Sequence, residues 1–190
     1  MYDHFKNRRQ DMRNLKVGGL LSEFNLNFHV FDVVLVNGTT QEMQATMDIC
    51  DDYLISWTGW EYKPFFPITG AGYSVFDADG NIKHDVLGTI SRPYAQIVAG
   101  NTQKMKFDNR TKEFELVFKA NQATFDGERT LVYYNKDIHY PGGFVIENHA
   151  ALVVEHTMKN YFEAYVKPGS EIAIGEELTI RISPNQSIKA

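Results

Sequence analysis

The sequence is poor in the residues that mark the most easily recognised protein classes. Cys50 is the only cysteine, so no disulfide can form within the chain and no cysteine-based metal site can be built. No run approaches the roughly eighteen consecutive apolar residues of a membrane-spanning helix. The charged stretch from Tyr2 to Asn14 stands where a signal peptide would carry its apolar core, so neither a spanning segment nor an export signal is expected. Basic clusters are missing as well. The net charge is -5 and Arg8-Arg9 alone makes no basic face, which argues against nucleic acid as a partner. The six histidines, His4, His29, His84, His139, His149 and His156, are scattered without a His-X-X-X-His pair. They read as surface or satisfied core residues, and no metal is expected. There is no internal repeat and no low-complexity tract.

What is present is enough to build a core, with 43% hydrophobic residues and 13% aromatics. Three glycosylation sequons, at Asn37, Asn109 and Asn185, tilt the reading slightly towards a secretory or lysosomal life.

In the first half, residues 2–14 carry Phe5 and Met12 among charges and read as a surface helix. An apolar strand over residues 17–23 follows and ends on a carboxylate, Glu23. Residues 24–36 connect it to a turn at Asn37-Gly38. Thr39 and Glu42 then have capping-box spacing for a helix that turns Met43, Met47 and Cys50 inward. Next comes a short apolar strand over 53–57 that delivers Trp57 to its end, where Gly59, Trp60, Glu61 and Tyr62 follow. A buried parallel strand opening onto a ligand-binding face has this appearance. The Asp-X-Asp run at Asp77-Ala78-Asp79-Gly80-Asn81 is a hairpin turn and not a calcium loop, because its glycine comes fourth instead of sixth. From His84 to Ala99 the pattern predicts a helix, interrupted at Ser91-Arg92-Pro93, where Ser91 can recap it, and stopped by Gly100.

From Gln103 onward the period changes to two. Residues 113–118, 129–134, 161–166 and 177–182 read as strands. Turns separate them at Asp126-Gly127, Pro141-Gly142-Gly143 and Pro168-Gly169. Six to eight short strands make a β-sandwich, and the domain boundary falls at Gly100-Asn101-Thr102.

Two apolar strands that each end in a functional residue, with one helix between them, are what neighbouring strands of a (β/α)8 barrel look like. The pair Leu20-Leu21-Ser22-Glu23-Phe24 and Ser56-Trp57-Thr58-Gly59-Trp60-Glu61-Tyr62-Lys63 is followed by Gly70-Ala71-Gly72-Tyr73-Ser74 and Ser91-Arg92-Pro93-Tyr94. Together they resemble the C-terminal part of glycoside hydrolase family 5, and within it most closely the endoglycoceramidases. The expected fold is therefore an α/β barrel fragment, the last strands and helices of a TIM barrel over residues 1–101. An all-β sandwich over 102–190 follows it.

The resemblance implies a retaining glycosidase that cleaves the bond between a sugar head group and ceramide, with no cofactor. Glu23 matches the family's nucleophile at the end of the seventh strand. Trp57 is expected to offer its indole face to a pyranose. Ser22 and Asn25 stand where many members have Thr and Gly, and Ser keeps the hydroxyl while Asn tolerates a left-handed backbone. The family's acid/base glutamate follows an asparagine on the fourth strand, and no Asn-Glu pair precedes Glu23. The expected partners are thus a glycolipid or other β-glucoside and the missing N-terminal barrel half, without which the chain alone is expected to be inactive. The rival reading is a non-catalytic carbohydrate- or lipid-binding sandwich carrying a barrel remnant, with Tyr133, Tyr134 and Tyr140 as a contact strip.

Overall fold

The computed structural model describes residues 2–25, 39–68, 70 and 74–185. His29, the sequon at Asn37, the Asn37-Gly38 turn, the Gly72-Tyr73 part of the motif and the side chain of Thr39 with its capping box lie outside the described parts. Two compact units emerge, Met1–Ile90 and Ser91–Ala190.

In the first unit, helix α1 spans Tyr2–Leu15 and strand β1 Leu20–Asn25. Helix α2 covers Thr39–Tyr53, strand β2 Ser56–Trp60 and helix α3 His84–Ile90. Strands β1 and β2 run parallel, with Leu20 opposite Ser56 and Leu21 opposite Trp57. A parallel pair cannot be joined by a tight turn, and α2 lies between the two strands in sequence. Its spacing of four and then three buries Met43, Met47 and Cys50, which are 2%, 0% and 1% exposed. Val75 and Val86 complete that core, and Phe24, Trp57, Phe76, Leu87 and Ile90 pack against it. The Asp79-Gly80 turn forms as expected. Asp77 donates its amide to the Asn81 carbonyl, its carboxylate accepts the amides of Asp79 and Asn81, and Gly80 takes φ 83°.

One frame needs correction. The strand expected over 53–57 begins later, because α2 keeps its apolar stripe through Tyr53. The helix then closes with Leu54 at φ 53° and the Ile55 amide on the Cys50 carbonyl at 2.8 Å. Trp57 is consequently the second residue of β2, and Trp60 is its last.

The second unit opens with strand β3, Tyr94–Ile97, where a helix was expected. Proline disfavours helical backbone in the residue before it, which here is Arg92. Its guanidinium, 4% exposed, donates to the Phe107 carbonyl at 2.8 Å and lies over the Phe107 ring. Tyr94 then pairs with Tyr133. The remaining strands are β4 Asn101–Asp108, β5 Glu113–Lys119, β6 Thr130–Tyr133 and β7 Phe144–Asn148. They continue with β8 Leu152–Met158, β9 Tyr161–Val166 and β10 Glu177–Pro184. Short helices α4, Gln122–Phe125, and α5, Lys136–His139, precede β6 and β7. All pairings are antiparallel, in two four-stranded sheets of order β4-β5-β10-β7 and β3-β6-β9-β8.

Period-two alternation sends Phe114, Leu116 and Phe118 of β5 and Leu178, Ile180 and Ile182 of β10 to one face. They share a single core with Val132, Leu152, Phe162 and Ala164 of the other sheet. Between the sheets' edges Gly100 leaves no room for a side chain, since a Cβ there would stand 2.5 Å from Phe118 Cδ2 and 2.8 Å from the Lys119 carbonyl. The Ala99 backbone beside it is held at both ends by hydroxyls. Its amide donates to Thr130 Oγ1 at 3.0 Å, and its carbonyl accepts from Thr124 Oγ1.

Candidate functional site

The paired strands β1 and β2 decide where Glu23 points. Leu21 lies opposite Trp57 and Phe24 opposite Gly59, so two residues, Ser22 and Glu23, face one, Thr58. This is a β-bulge, a device that re-aims side chains and occurs often beside active sites. It lets the half-buried Leu21 and Phe24 keep to the covered side while Ser22 and Glu23 stand exposed. The Thr58 hydroxyl donates to the Ser22 carbonyl and ties the bulge to β2.

Along β2 exposure alternates, with Ser56, Thr58 and Trp60 open and Trp57 and Gly59 half-buried. Trp57 thus turns towards the Met43, Met47, Val75 and Val86 core, and its ring meets Phe24 edge to face at 5.6 Å. Trp60, 40% exposed, closes the strand on its open face opposite Asn25, two residues beyond Glu23. The open face of the pair therefore offers one carboxylate and one broad indole, which suits a sugar ring with an apolar C–H face and a reacting carbon. Trp60 was singled out in the sequence only as a neighbour of Trp57. The signal that would have promoted it is parity, since Trp57 and Trp60 are three apart and lie on opposite faces of any strand.

The second unit holds different chemistry. His139 is 3% exposed, its Nε2 donates to the Ser91 carbonyl at 3.0 Å, and its ring stands against Phe107. Burial, with the cations of Lys112 and Arg92 nearby, pushes its pKa down to about 4. Tyr140 is equally buried, and desolvation raises its pKa far above the ordinary tyrosine value. Among the described residues His139 Nδ1 and the Tyr140 hydroxyl find no hydrogen-bond partner.

Of the expected tyrosine strip, Tyr134 and Tyr140 are core residues, 4% and 3% exposed. Only Tyr133 faces outward, in a cross-strand row with Tyr94 and Tyr161 at centroid distances of 5.4 and 5.3 Å. The outer face of the other sheet carries a groove of about 470 Å3. On its wall Glu115 accepts from Arg181 at 2.6 and 2.8 Å and from Lys104. Phe114, the one aromatic residue on its wall, is buried, so it offers no platform for a sugar.

Residues 92–182 match the glycoside hydrolase family 5 C-terminal domain. The chain is 34% identical over 160 residues to an endoglycoceramidase of Hydra vulgaris, covering 84% of this chain and 29% of that protein. It is 35% identical over 147 residues to an endoglycoceramidase of Cyanea nozakii, covering 74% of this chain and 27% of the relative. The chain thus spans less than a third of the length of these relatives. In fold it is similar to endo-glycoceramidase II from Rhodococcus sp., solved as a lactosyl-enzyme intermediate, with a TM-score of 0.69 at 17% identity over 95% of this chain and 36% of that one. It is likewise similar to sterylglucosidase 1 of Cryptococcus neoformans, with a TM-score of 0.74 at 16% identity over 97% and 31%.

Proposed function

Because the chain belongs to glycoside hydrolase family 5 through the C-terminal domain at residues 92–182, we propose that it is the C-terminal part of a retaining glycosidase acting on the β-glycosidic bond between a sugar head group and ceramide. In this reading β1 and β2 are the last two strands of a (β/α)8 barrel, and the two antiparallel sheets form the attached sandwich.

Glu23 is the nucleophile. Its carboxylate attacks the anomeric carbon, and the ceramide oxygen leaves with a proton from a second carboxyl group that the rest of the barrel supplies from outside these 190 residues. Water, deprotonated by that same group, then releases the sugar from Glu23, and two inversions give retention. The lactosyl-enzyme intermediate of the Rhodococcus relative is a species of this kind. Trp60 supplies the aromatic surface beside the reacting carbon, and Trp57, packed against the core on the opposite face, positions the strand that carries it. The observation that carries the proposal is the bulge that turns Glu23 to the open face of the strand pair.

The test is made in a polypeptide completed with an N-terminal barrel portion. An activated 2-deoxy-2-fluoro glycoside should add its sugar mass to the peptide containing Glu23, and Glu23→Gln should lower turnover at least about a thousandfold. Unchanged turnover would overturn the assignment and favour a non-catalytic binding module, for which the outward tyrosine row is the available surface. Steryl glucoside, compared with a glycosylceramide in the same assay, decides the aglycone.

A further inference from the structure

The chain enters the second unit through Ser91, Arg92 and Pro93, directly ahead of β3. As a strand β3 is weakly held. It is four residues long, lies at the edge of its sheet, and its register with β6 shifts between Ala95 and Ile97. The Ala95 amide donates to the Met105 sulfur at 3.2 Å, a weak acceptor. A short edge strand with so few ladder bonds belongs to the part of a fold that opens first. What secures it is the buried segment in front of it. The Arg92 guanidinium donates to the Phe107 carbonyl at 2.8 Å, and His139 Nε2 donates to the Ser91 carbonyl at 3.0 Å with the Ser91 hydroxyl 3.3 Å away. Ser91, Arg92 and His139 are all buried.

The imidazole fits this place in one protonation state. A carbonyl oxygen can only accept, so Nε2 carries the proton, and Nδ1 is where a second one would add. Nδ1 is buried and meets no acceptor among the described residues. The charged groups that act on the ring are cations, Arg92 and Lys112, and the Lys112 ammonium is fixed on Asn109 Oδ1 at 2.6 Å. The carboxylates next to these elements are engaged elsewhere. Asp137 of α5 pairs with Lys159 at 3.0 Å, and Asp108 of β4 accepts the amides of Arg110 and Thr111 at 2.8 and 3.1 Å. Tyr140, desolvated, stays neutral. Ser91, Arg92, Phe107, Lys112 and Tyr140 all belong to the second unit, so the surroundings of the ring are supplied by that unit itself.

We propose that His139 is an acid-sensitive latch on residues 91–97: protonated at Nδ1 it no longer fits its site, and the entry segment opens with β3 while the rest of the second unit stays closed. The opening leaves residues 91–97 as free chain after Ile90, the last residue of the first unit. The closed site holds the pKa of His139 at about 4 against an ordinary 6.5. The opened form therefore takes up the proton more readily, and opening grows as pH falls below 6.5 and levels off below 4.

Hydrogen exchange of the 190-residue chain is followed by mass spectrometry at pH 7 and pH 5, each rate divided by that of the unfolded peptide at the same pH. The relative rate in residues 91–97 should rise at least about tenfold at pH 5 and there exceed the rates in β5 and β10 at least about a hundredfold. His139→Gln keeps a donor for the Ser91 carbonyl but cannot take up the proton, so its residues 91–97 should stay protected at pH 5. In wild type, the nuclear magnetic resonance signal of the His139 ring should titrate over the same pH range in which the segment opens. Rates in 91–97 equal to those of β5 and β10 at both pH values would mean that the segment opens only with the whole unit, and would overturn the latch. So would a rise that persists in His139→Gln, or a His139 ring that titrates near pH 6.5 while 91–97 remains closed. The ring titration is read on wild type and decides the matter even where the variant does not fold.

Discussion

Phe24 and Trp57 meet edge to face across β1 and β2, with centroids 5.6 Å apart and planes at 77°. Phe24 directly follows Glu23, so the contact fixes the strand end from which the carboxylate projects. An edge-to-face pair adds about 0.5–1.5 kcal/mol to the burial it brings. Trp57→Ala is therefore expected to destabilise the first unit by about 2 kcal/mol, below the roughly 3–5 kcal/mol of a fully buried tryptophan because Trp57 is half-buried. Trp60→Ala should change stability by less than about 0.5 kcal/mol and act on substrate affinity in a completed enzyme. Urea unfolding followed by circular dichroism separates the two. Equal stability losses would mean that Trp60 is also structural.

Gly100 is close-packed and not merely flexible. Gly100→Ala would place a methyl group 2.5 Å from Phe118 Cδ2 and 2.8 Å from the Lys119 carbonyl. The second unit should lose about 1–3 kcal/mol, the usual scale for overpacking, read as a lower denaturant midpoint at unchanged m-value. A midpoint equal to wild type would refute the tight approach.

The Tyr140 hydroxyl is buried without a partner among the described residues. An unsatisfied buried polar group costs about 1–3 kcal/mol, so Tyr140→Phe should be neutral or stabilising by up to that amount. A fall in melting temperature would show that the hydroxyl is bonded in solution.

His139 makes stability depend on pH in a definite direction. Its pKa is about 4 in the fold against an ordinary 6.5. The unfolded chain therefore takes up the proton first as pH falls. The contribution is complete above about pH 6.5 and declines between there and pH 4, by at most about 1.4 kcal/mol per pH unit. Lys112 and Arg92, the cations near the ring, act in the same direction as burial. His139→Gln retains a donor for the Ser91 carbonyl and should flatten that part of the stability–pH curve. A slope that persists in the variant would assign it to other groups.

Much of this architecture is legible in the residues, and its gaps have physical causes. The strands β5, β6, β9 and β10 alternate strictly, because each has one covered and one open face, so their period shows directly. Helix α2 announces itself by Met43, Met47 and Cys50, yet its end does not. Tyr53, Leu54 and Ile55 continue an apolar run that fits a helix as well as a strand, and only the turn at Leu54 settles the frame. That three-residue shift moved Trp57 from the end of β2 to near its start. Strand β3 was hidden because Ser91, Arg92 and Pro93 suit a helix start locally, whereas pairing with β6 is a long-range effect. The bulge at Ser22 and Glu23 left one trace, the apolar spacing of three between Leu21 and Phe24, which a regular strand would place on opposite faces. Helices α4 and α5 are single turns held by the side chains of Asn121 and Asn135, too short for any periodicity to register.

The double fastening of Ala99 has a consequence on the timescale of minutes to hours. Residues between strands ordinarily release their amide protons to solvent quickly, since no ladder holds them. Ala99 lies between β3 and β4, yet its amide is bonded to the Thr130 hydroxyl and the residue is only 4% exposed. In deuterated water its proton should persist as long as those of the sheet interiors, so that a connecting residue reports the global opening of the second unit.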